Sequence, residues 1–203
     1  MKISTTAILA LACISTFAGC RNPINAYTGG RYYSAGTQAE TAGDLRLARR
    51  NYSRAYANAQ AGNLGPAAEA YALYDWARVT GYLGLRDDAA KGFSDVLALI
   101  DRAKGAADKL RAPALSEYSR LLHDTGLHAE AVPVFARAEA ELKKIGILES
   151  DAVGFALLLD DYADSLKAAG FAGRAGEVEA EAARIQAAHP GEAPRFVARG
   201  YKA

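Results

Sequence analysis

The chain has little cysteine and no long apolar run. Its 203 residues include two cysteines, Cys13 and Cys20, and both lie close to the N-terminus. The apolar core of the N-terminal segment, Ala7 to Cys13, is far shorter than the roughly 20 residues that a membrane-spanning helix requires. The segment therefore does not read as a transmembrane helix, and so few cysteines do not build a disulfide scaffold.

The chain also lacks a strong charge of either sign. It has 24 basic and 23 acidic side chains and a formal net charge of +1, which gives no overall field for attracting nucleic acid. Valine, isoleucine and threonine are sparse, and alanine supplies much of the 51% hydrophobic fraction. This composition favours closely packed helices over a β-sheet.

The N-terminal segment, MKISTTAILALACISTFAG, has the features of a secretory signal. One positive charge at Lys2 precedes the apolar core, and small residues approach Cys20. The stretch Phe17-Ala18-Gly19-Cys20 resembles the lipobox of bacterial lipoproteins, although Phe17 stands where leucine is more common. An ordinary cleaved signal that ends near a cysteine, or a disulfide cysteine, is the alternative.

The lipoprotein resemblance implies a removed signal peptide, residues 1–19, and a lipidated tether, residues 20–30. Cys20 is then the lipid attachment site, carrying acyl chains such as palmitate, and removal of Cys13 leaves it with no thiol partner. Arg21 stands where an aspartate would imply retention in the inner membrane. The resemblance therefore implies anchoring in the outer membrane with the protein facing the periplasm.

Four segments of the chain repeat one pattern of residues. A glycine is followed five positions later by an alanine, then by a large residue four beyond and a small or apolar one three after that. The alanines of successive segments are 41, 42 and 44 positions apart, which indicates tandem units. The sets are Gly43/Ala48/Tyr52/Ala55, Gly84/Ala89/Phe93/Val96, Gly126/Ala131/Phe135/Ala138 and Gly170/Ala175/Glu179/Ala182.

Each position of this pattern has a physical role. The glycine ends one helix in a left-handed cap, the alanine lets two antiparallel helices approach, and the large residue fills the gap to the next hairpin. Glu179 replaces the large apolar residue in the fourth segment, as a solvent-facing terminal unit allows. A single helix hairpin cannot bury its apolar face, so the pattern predicts stacking of hairpins.

The spacing resembles the tetratricopeptide repeat. The stretch ALYDWA, residues 72–77, ahead of Leu83-Gly84 is similar to the first helix of that repeat, with Leu73, Trp76 and Ala77 at its packing positions. The period near 42 exceeds the common value of about 34 and is similar to the longer variant of kinesin-light-chain-type repeats. The resemblance implies an all-α, right-handed solenoid of about four antiparallel helix hairpins.

The anchors of the repeat place the helices and the domain limits. The repeat domain is predicted over residues 31–189, followed by a flexible tail, residues 190–203, with two prolines and two glycines. Ser150 is predicted as the N-cap of the seventh helix. Pro113 either kinks the fifth helix or makes it begin late, and in the second case residues 105–112 are a loop. The predicted helices are 31–41, 44–61, 66–83, 86–104, 108–125, 128–146, 151–169 and 173–188.

Residues that carry chemistry do not form a recognisable catalytic pattern. His123 and His128 lie five positions apart across a predicted helix end and are not expected to share a face. Asp160, Asp161 and Asp164 put two carboxylates on one helical face, and a solvated surface explains them more simply than catalysis. We therefore predict no enzyme activity, no metal site and no cofactor.

A partner-binding groove is the functional site that the resemblance implies, because the first helix of each hairpin lines a concave wall. The second hairpin offers three tyrosines around an arginine, which are common anchors of binding hot spots. Packing of these tyrosines against neighbouring helices is the alternative. The predicted groove residues are Tyr33, Glu40, Tyr71, Tyr74, Arg78, Tyr82, Ser116, Arg120, His123, Asp124, Asp160, Asp164 and Lys167.

A stripe of arginines forms a second candidate surface. Arg46, Arg50 and Arg54 recur every fourth residue with Arg49 beside them, opposite the face of Ala48. Because the stripe lies near the proposed anchor, it is a candidate for contact with anionic headgroups. A solvated helix face is the alternative.

Together these features predict a membrane-anchored adaptor or assembly factor of the bacterial cell envelope. Its expected partners are an envelope protein or peptide and the lipid bilayer, reached through acylated Cys20, and not nucleic acid. A cell-wall or envelope hydrolase on a helical scaffold is one alternative function, and a purely structural spacer is another.

Overall fold

The computed structural model describes residues 21–195 and 199–201. Over these residues the chain forms eight α-helices, one short 3₁₀ helix and no strand. The helices are α1 (Pro23–Thr41), α2 (Leu45–Ala61), α3 (Pro66–Tyr82), α4 (Arg86–Arg102), the 3₁₀ helix (Asp108–Leu110), α5 (Arg111–Asp124), α6 (His128–Lys144), α7 (Ile147–Ala168) and α8 (Ala172–Ala188).

The helices stack as four successive hairpins. The most extensive contacts join α1 to α2, α3 to α4, α5 to α6 and α7 to α8, and each hairpin also packs on the next one. The first helices of neighbouring hairpins touch directly where α5 meets α3 and α7. This succession confirms the predicted all-α solenoid. We call α1, α3, α5 and α7 the inner helices.

The repeated residues occupy the positions that their roles require. Gly43, Gly84, Gly126 and Gly170 have φ values between 77° and 87°, a left-handed conformation that favours glycine. The four repeated alanines, Ala48, Ala89, Ala131 and Ala175, are all fully buried. Tyr52, Phe93 and Phe135, the large residues of the first three units, are also buried, with at most 1% of their surface exposed.

The first helix begins earlier than the sequence predicts. Asn22 caps α1, since its side chain accepts hydrogen bonds from the backbone amides of Ile24 and Asn25, and Pro23 occupies the first helical position. Residues 23–30 of the predicted tether are therefore helical, and the predicted helix start at residue 31 is wrong. Cys20 and the predicted signal peptide, residues 1–19, lie outside the described residues.

The start of α7 also differs from the prediction. Asp151 has non-helical backbone angles at a kink in the helix, and its carboxylate accepts a hydrogen bond from the amide of Gly154 at 3.0 Å. Ser150 instead donates to carbonyls of the preceding turn. The capping residue is thus Asp151, because the longer carboxylate side chain reaches the third amide of the new helix.

The C-terminal segment returns to the body of the protein. The backbone amide of Arg195 donates to Asp151 at 3.0 Å, and Tyr201 is only 1% exposed. The prediction of a flexible tail over residues 190–203 is therefore wrong at these positions. None of the helices in the described part of the chain is long and apolar enough to cross a bilayer.

Candidate functional site

An ion-pair network joins the inner helices of the first two hairpins. Arg78 on α3 donates to Glu40 of α1 at 3.0 Å and to its own neighbour Asp75 at 2.8 Å, while the Tyr33 hydroxyl of α1 donates to Asp75. Burial opposes the charge of Arg78, but its bonds to both carboxylates outweigh it and raise the pKa of the guanidinium. Arg78 and Tyr33 therefore hold α1 against α3.

The three tyrosines of α3 surround Arg78 to different degrees. Tyr74 and Tyr82 each have their ring centre 5.8 Å from the Arg78 guanidinium carbon, whereas Tyr71 lies on the surface, 39% exposed. Burial is the main cause that raises the pKa of Tyr74 and of Tyr82. The second hairpin thus presents one exposed tyrosine and two that are largely enclosed.

Tyr201 fills a site between α3 and α5 that we call the tyrosine site, formed by Gly81, Tyr82, Phe93, Glu117 and Asp124. The ring of Tyr201 stacks on that of Tyr82, with centroids 4.9 Å apart and planes 25° from parallel. Phe93 belongs to the buried apolar cluster that contains Tyr201. One ring from the C-terminal segment is therefore packed among residues of two hairpins.

Two carboxylates of α5 bind the polar groups of Tyr201. Its backbone amide donates to Asp124 at 2.7 Å, and its hydroxyl donates to Glu117. Burial, followed by the negative charge of Glu117, raises the pKa of the Tyr201 phenol. Arg199, two positions earlier, places its guanidinium carbon 5.4 Å from the ring centre of Tyr82.

A cavity of about 400 Å³ lies beside the tyrosine site, between α5 and α7. Glu117 and Asp151 are both part of its lining, so the cavity lies between the two places where the C-terminal segment is bound. The predicted groove residues Tyr74, Ser116 and Arg120 also line it. The cavity is thus lined by residues of three inner helices, α3, α5 and α7.

The two histidines of the third hairpin lie together, contrary to the prediction. The left-handed turn at Gly126 folds α6 back on α5, and the rings of His123 and His128 are 5.4 Å apart. Their Nδ1 atoms lie 3.0 Å and 3.4 Å from the hydroxyl of Ser165 on α7. The hydroxyl has one hydrogen, so one of the two imidazoles must donate to the serine oxygen.

This histidine cluster contains the residue types of a nucleophile and its general base, but the serine hydroxyl is not accessible. Asp161 approaches His123 Nε2 at 3.8 Å on the side away from the serine. Ser165, however, has none of its surface exposed, so a substrate cannot reach its hydroxyl in this conformation. The cluster therefore connects α5, α6 and α7 by hydrogen bonds.

Solved structures of other proteins share this arrangement of helices. The chain is similar to BtubC (BKLC) from P. vanneervenii, with a TM-score of 0.70 and 18% identity, over 87% of this chain and 70% of that one. It is also similar to the nearly identical TPR-like repeats of a kinesin light chain from Podosopora anserina, with a TM-score of 0.61, 18% identity and 84% of both chains covered. The chain has the tetratricopeptide-like repeat fold. No protein-family model matches the sequence, and no curated protein does.

The inner helices of this tetratricopeptide-like chain keep a register of about 42 residues. Tyr33 contacts Asp75, and His123 contacts Ser165, and both pairs are 42 positions apart. The predicted residues of α7 lie instead 44 positions after Ser116, Arg120 and His123, which is the spacing between Gly126 and Gly170. Two residues rotate a position by about 200° around a helix axis, so this count selects a different face of α7.

The predicted residues of α7 accordingly contact α8 or one another rather than α5. Asp160 accepts a hydrogen bond from Gln186 of α8 at 2.9 Å, and Lys167 pairs with Glu179 of α8 and with Asp164. Asp161 is the residue that approaches Arg120 of α5, at 3.9 Å. The structure therefore brings Asp124 and most of the other predicted residues of α3 and α5 together, and separates Asp160, Asp164 and Lys167 from them.

The predicted basic stripe on α2 is incomplete. Arg46, Arg50 and Arg54 are exposed, but Arg49 turns toward the second hairpin. Its Nε donates to Thr80 at 3.0 Å, and its guanidinium carbon lies 5.2 Å from the ring centre of Trp76. Arg49 therefore packs between hairpins, with a third of its side chain exposed.

Within the described ranges, no three side chains of the kind that bind metals converge. Five residues of the site are absent from the predicted groove: Asp75, Glu117, Asp161, Ser165 and Tyr201. The first four lie on inner helices, one or two positions from a predicted residue or one repeat period away from it. A repeat register of 42 applied to every inner helix would have found Asp75 from Tyr33 and Ser165 from His123.

Proposed function

We propose that this protein is a lipid-anchored adaptor of the bacterial cell envelope whose inner helices bind an extended segment of a partner protein. The observation that carries the proposal is that α3, α5 and α7 already bind residues of the chain's own C-terminal segment, at Arg195 and Tyr201. The segment is bound through backbone amides at Asp151 and Asp124. Backbone contacts of this kind are available to any extended peptide.

The carboxylates that bind the C-terminal segment favour a basic partner segment. Glu117, Asp124 and Asp151 all accept hydrogen bonds from the C-terminal segment, and Arg199 of that segment lies over an aromatic ring of α3. Complementary charge mainly increases the rate and specificity of association. A partner with arginine or lysine near its binding residues fits this lining better than an acidic one.

The membrane part of the proposal rests on the N-terminal sequence. The resemblance of Phe17-Ala18-Gly19-Cys20 to a lipobox supports acylation of Cys20, and Arg21 supports delivery to the outer membrane. Two or three acyl chains, at ~0.8 kcal/mol per buried methylene, hold a protein on a bilayer far more firmly than one chain. The adaptor would then present its inner helices to partners in the periplasm.

Site-specific crosslinking in intact cells tests the adaptor function. A photoreactive amino acid replaces Tyr71 or Ser116, one exposed on α3 and one lining the cavity, and a matched control replaces Lys91 on α4, whose side chain is 75% exposed. We expect one defined protein to be captured from both inner positions and not from Lys91. Equal capture from all three positions, or none, would favour a structural spacer.

The anchor is tested separately. Cys20→Ser should abolish incorporation of labelled palmitate and shift the protein from the membrane fraction to the soluble fraction, while Cys13→Ser should leave both unchanged. Labelling that persists in Cys20→Ser would contradict acylation at this residue. The two experiments are independent, since a soluble adaptor would still be captured by its partner.

A further inference from the structure

We propose that the tyrosine site recognises a tyrosine in an extended peptide with a basic residue two positions before it, and that Tyr201 is its intramolecular ligand. This inference rests on the proposed function and specifies the segment that the groove takes. In the chain itself the recognised residues are Arg199 and Tyr201. A partner segment with the same two residues would compete with them for the site.

The site has the shape of an aromatic ring. A Cβ atom added to Gly81 would lie 2.5 Å and 2.7 Å from two ring carbons of Tyr201, so only glycine allows the ring to approach the helix this closely. Tyr82 closes the other side by stacking. Glu117 stands at the end of the slot, where it accepts the phenol hydrogen, a contact that phenylalanine cannot make.

Gly81 differs from other helical glycines in where the ring that lies against it comes from. A Cβ atom added to Gly36 would lie 2.7 Å from the ring of Tyr52, and one added to Gly92 would lie 3.0 Å from the ring of Trp76. In both cases the glycine and the ring belong to the same hairpin. The ring over Gly81 comes from outside the four hairpins, so the repeats contain a slot that none of their own side chains fills.

The contacts described within the site involve two residues of the tail, Arg199 and Tyr201. Asp124 accepts a backbone amide, which every residue except proline offers. Tyr82 receives the cation of Arg199 on its ring, an interaction that lysine or arginine can make. Any extended segment that carries a basic residue, one further residue and a tyrosine therefore presents the same groups.

The C-terminal tail can dissociate from the tyrosine site and so compete with a partner segment for that site. The segment between α8 and Tyr201 has no described helix or strand, and ordering such a segment offsets much of what one buried ring and a few hydrogen bonds contribute. Docking is then a local equilibrium that opens without unfolding the hairpins. A short covalent connection to α8 gives the tail an effective concentration of about 1 mM at the site.

Peptide binding to the full chain tests the inference. The probe is a fluorescent peptide with the sequence VARGYKA, residues 197–203, and its control is VARGAKA. We expect VARGYKA to bind the Tyr201→Ala protein about tenfold more tightly than the wild type, where the tail competes. VARGAKA should bind neither protein. Adding Gly81→Leu to Tyr201→Ala should block the slot and abolish binding.

A second measurement does not depend on the folding of a variant. In the wild type, the amide of Tyr201 is held by Asp124, and excess VARGYKA should accelerate its hydrogen exchange at neutral pH while VARGAKA leaves it unchanged. Equal affinity of VARGYKA for both proteins, equal binding of the two peptides, or a Tyr201 amide that excess VARGYKA leaves protected would overturn the inference.

The outcome can be separated from that of the proposed function. If crosslinking in cells captures a partner from the inner helices but VARGYKA does not bind, the adaptor stands and the tyrosine site is wrong. If VARGYKA binds as expected but no partner is captured, the site is a device for holding the tail and the adaptor function is wrong.

Discussion

Replacing Gly81 by alanine should destabilise the wild-type protein and stabilise the protein that lacks the Tyr201 ring. The added methyl carbon would lie 2.5 Å from one ring carbon of Tyr201, about 1 Å inside the ordinary contact distance of 3.5–4.0 Å. Its next neighbour beyond the ring, the methyl group of Ala89, is at an ordinary 3.4 Å. The only serious obstacle to Gly81→Ala is therefore the tyrosine ring.

The expected magnitudes follow from this geometry. In the wild type, the clash is relieved when the ring leaves the slot, so its cost cannot exceed the free energy of docking, about 1.4 kcal/mol for the tenfold competition expected above. In the Tyr201→Ala background the clash is absent, so the helical preference of alanine over glycine should contribute about 0.5–1 kcal/mol. The coupling energy between the two positions is then at most about 1.4 kcal/mol, and Gly81→Ala still destabilises the wild type because this exceeds the gain in helical preference.

Urea unfolding of four proteins measures this coupling: wild type, Gly81→Ala, Tyr201→Ala and the double variant. Gly30→Ala is the matched control, since Gly30 is also helical but a Cβ there would meet nothing within 4 Å. The control should stabilise both backgrounds equally. A gain from Gly81→Ala that is equal in both backgrounds, within about 0.5 kcal/mol, would show that the ring does not lie over Gly81.

Three further predictions concern charge, core packing and pH. Arg78→Leu should destabilise the protein by about 2–4 kcal/mol in urea unfolding, because it leaves two partly buried carboxylates without their cation, and Arg78→Lys should cost less. Phe135→Ala should cost about 3–5 kcal/mol and Phe135→Leu less than half as much, by the same assay. Since the pKa of Tyr201 is raised by burial and then by Glu117, its docking should stabilise the protein fully below about pH 10, where a free tyrosine ionises, and progressively less above it. The difference in Tm between the wild type and Tyr201→Ala should therefore shrink from pH 9 to pH 11, and a constant difference would contradict docking of a neutral phenol.

The repeat anchors made most of the fold predictable. Gly43 and its three equivalents end helices in a left-handed conformation that few other residues adopt, so their positions determine where each second helix begins. The alanines five positions later are fully buried. These signals are local and steric, which is why the predicted starts of the second helices agree with the structure to within one residue.

The groove residues were predictable only where the repeat kept its register. Tyr74, Arg78 and Tyr82 lie as expected because α3 is itself the helix that resembles the family. Gly170 lies 44 positions after Gly126, two more than the register of the inner helices, so the residues predicted on α7 lie on a different face of the helix. Asp161, and not Asp160 or Asp164, approaches Arg120 of α5. The repeat pattern does not fix the number of residues between successive glycines. The error on α7 therefore comes from this spacing.

The packing of the C-terminal tail against the helices could not be predicted from its composition. Two prolines, two glycines and several charges describe an unstructured segment on average, yet a single tyrosine decides where it lies. The information is divided between Gly81, which leaves a slot in α3, and Tyr201, which fills it 120 positions later. A helical glycine that no ring of its own hairpin covers and a tyrosine in a distant tail form a pair that no local pattern connects. The slot belongs to the solenoid and the ring belongs to the tail, so a partner's tyrosine can replace the tail without changing the packing of the hairpins.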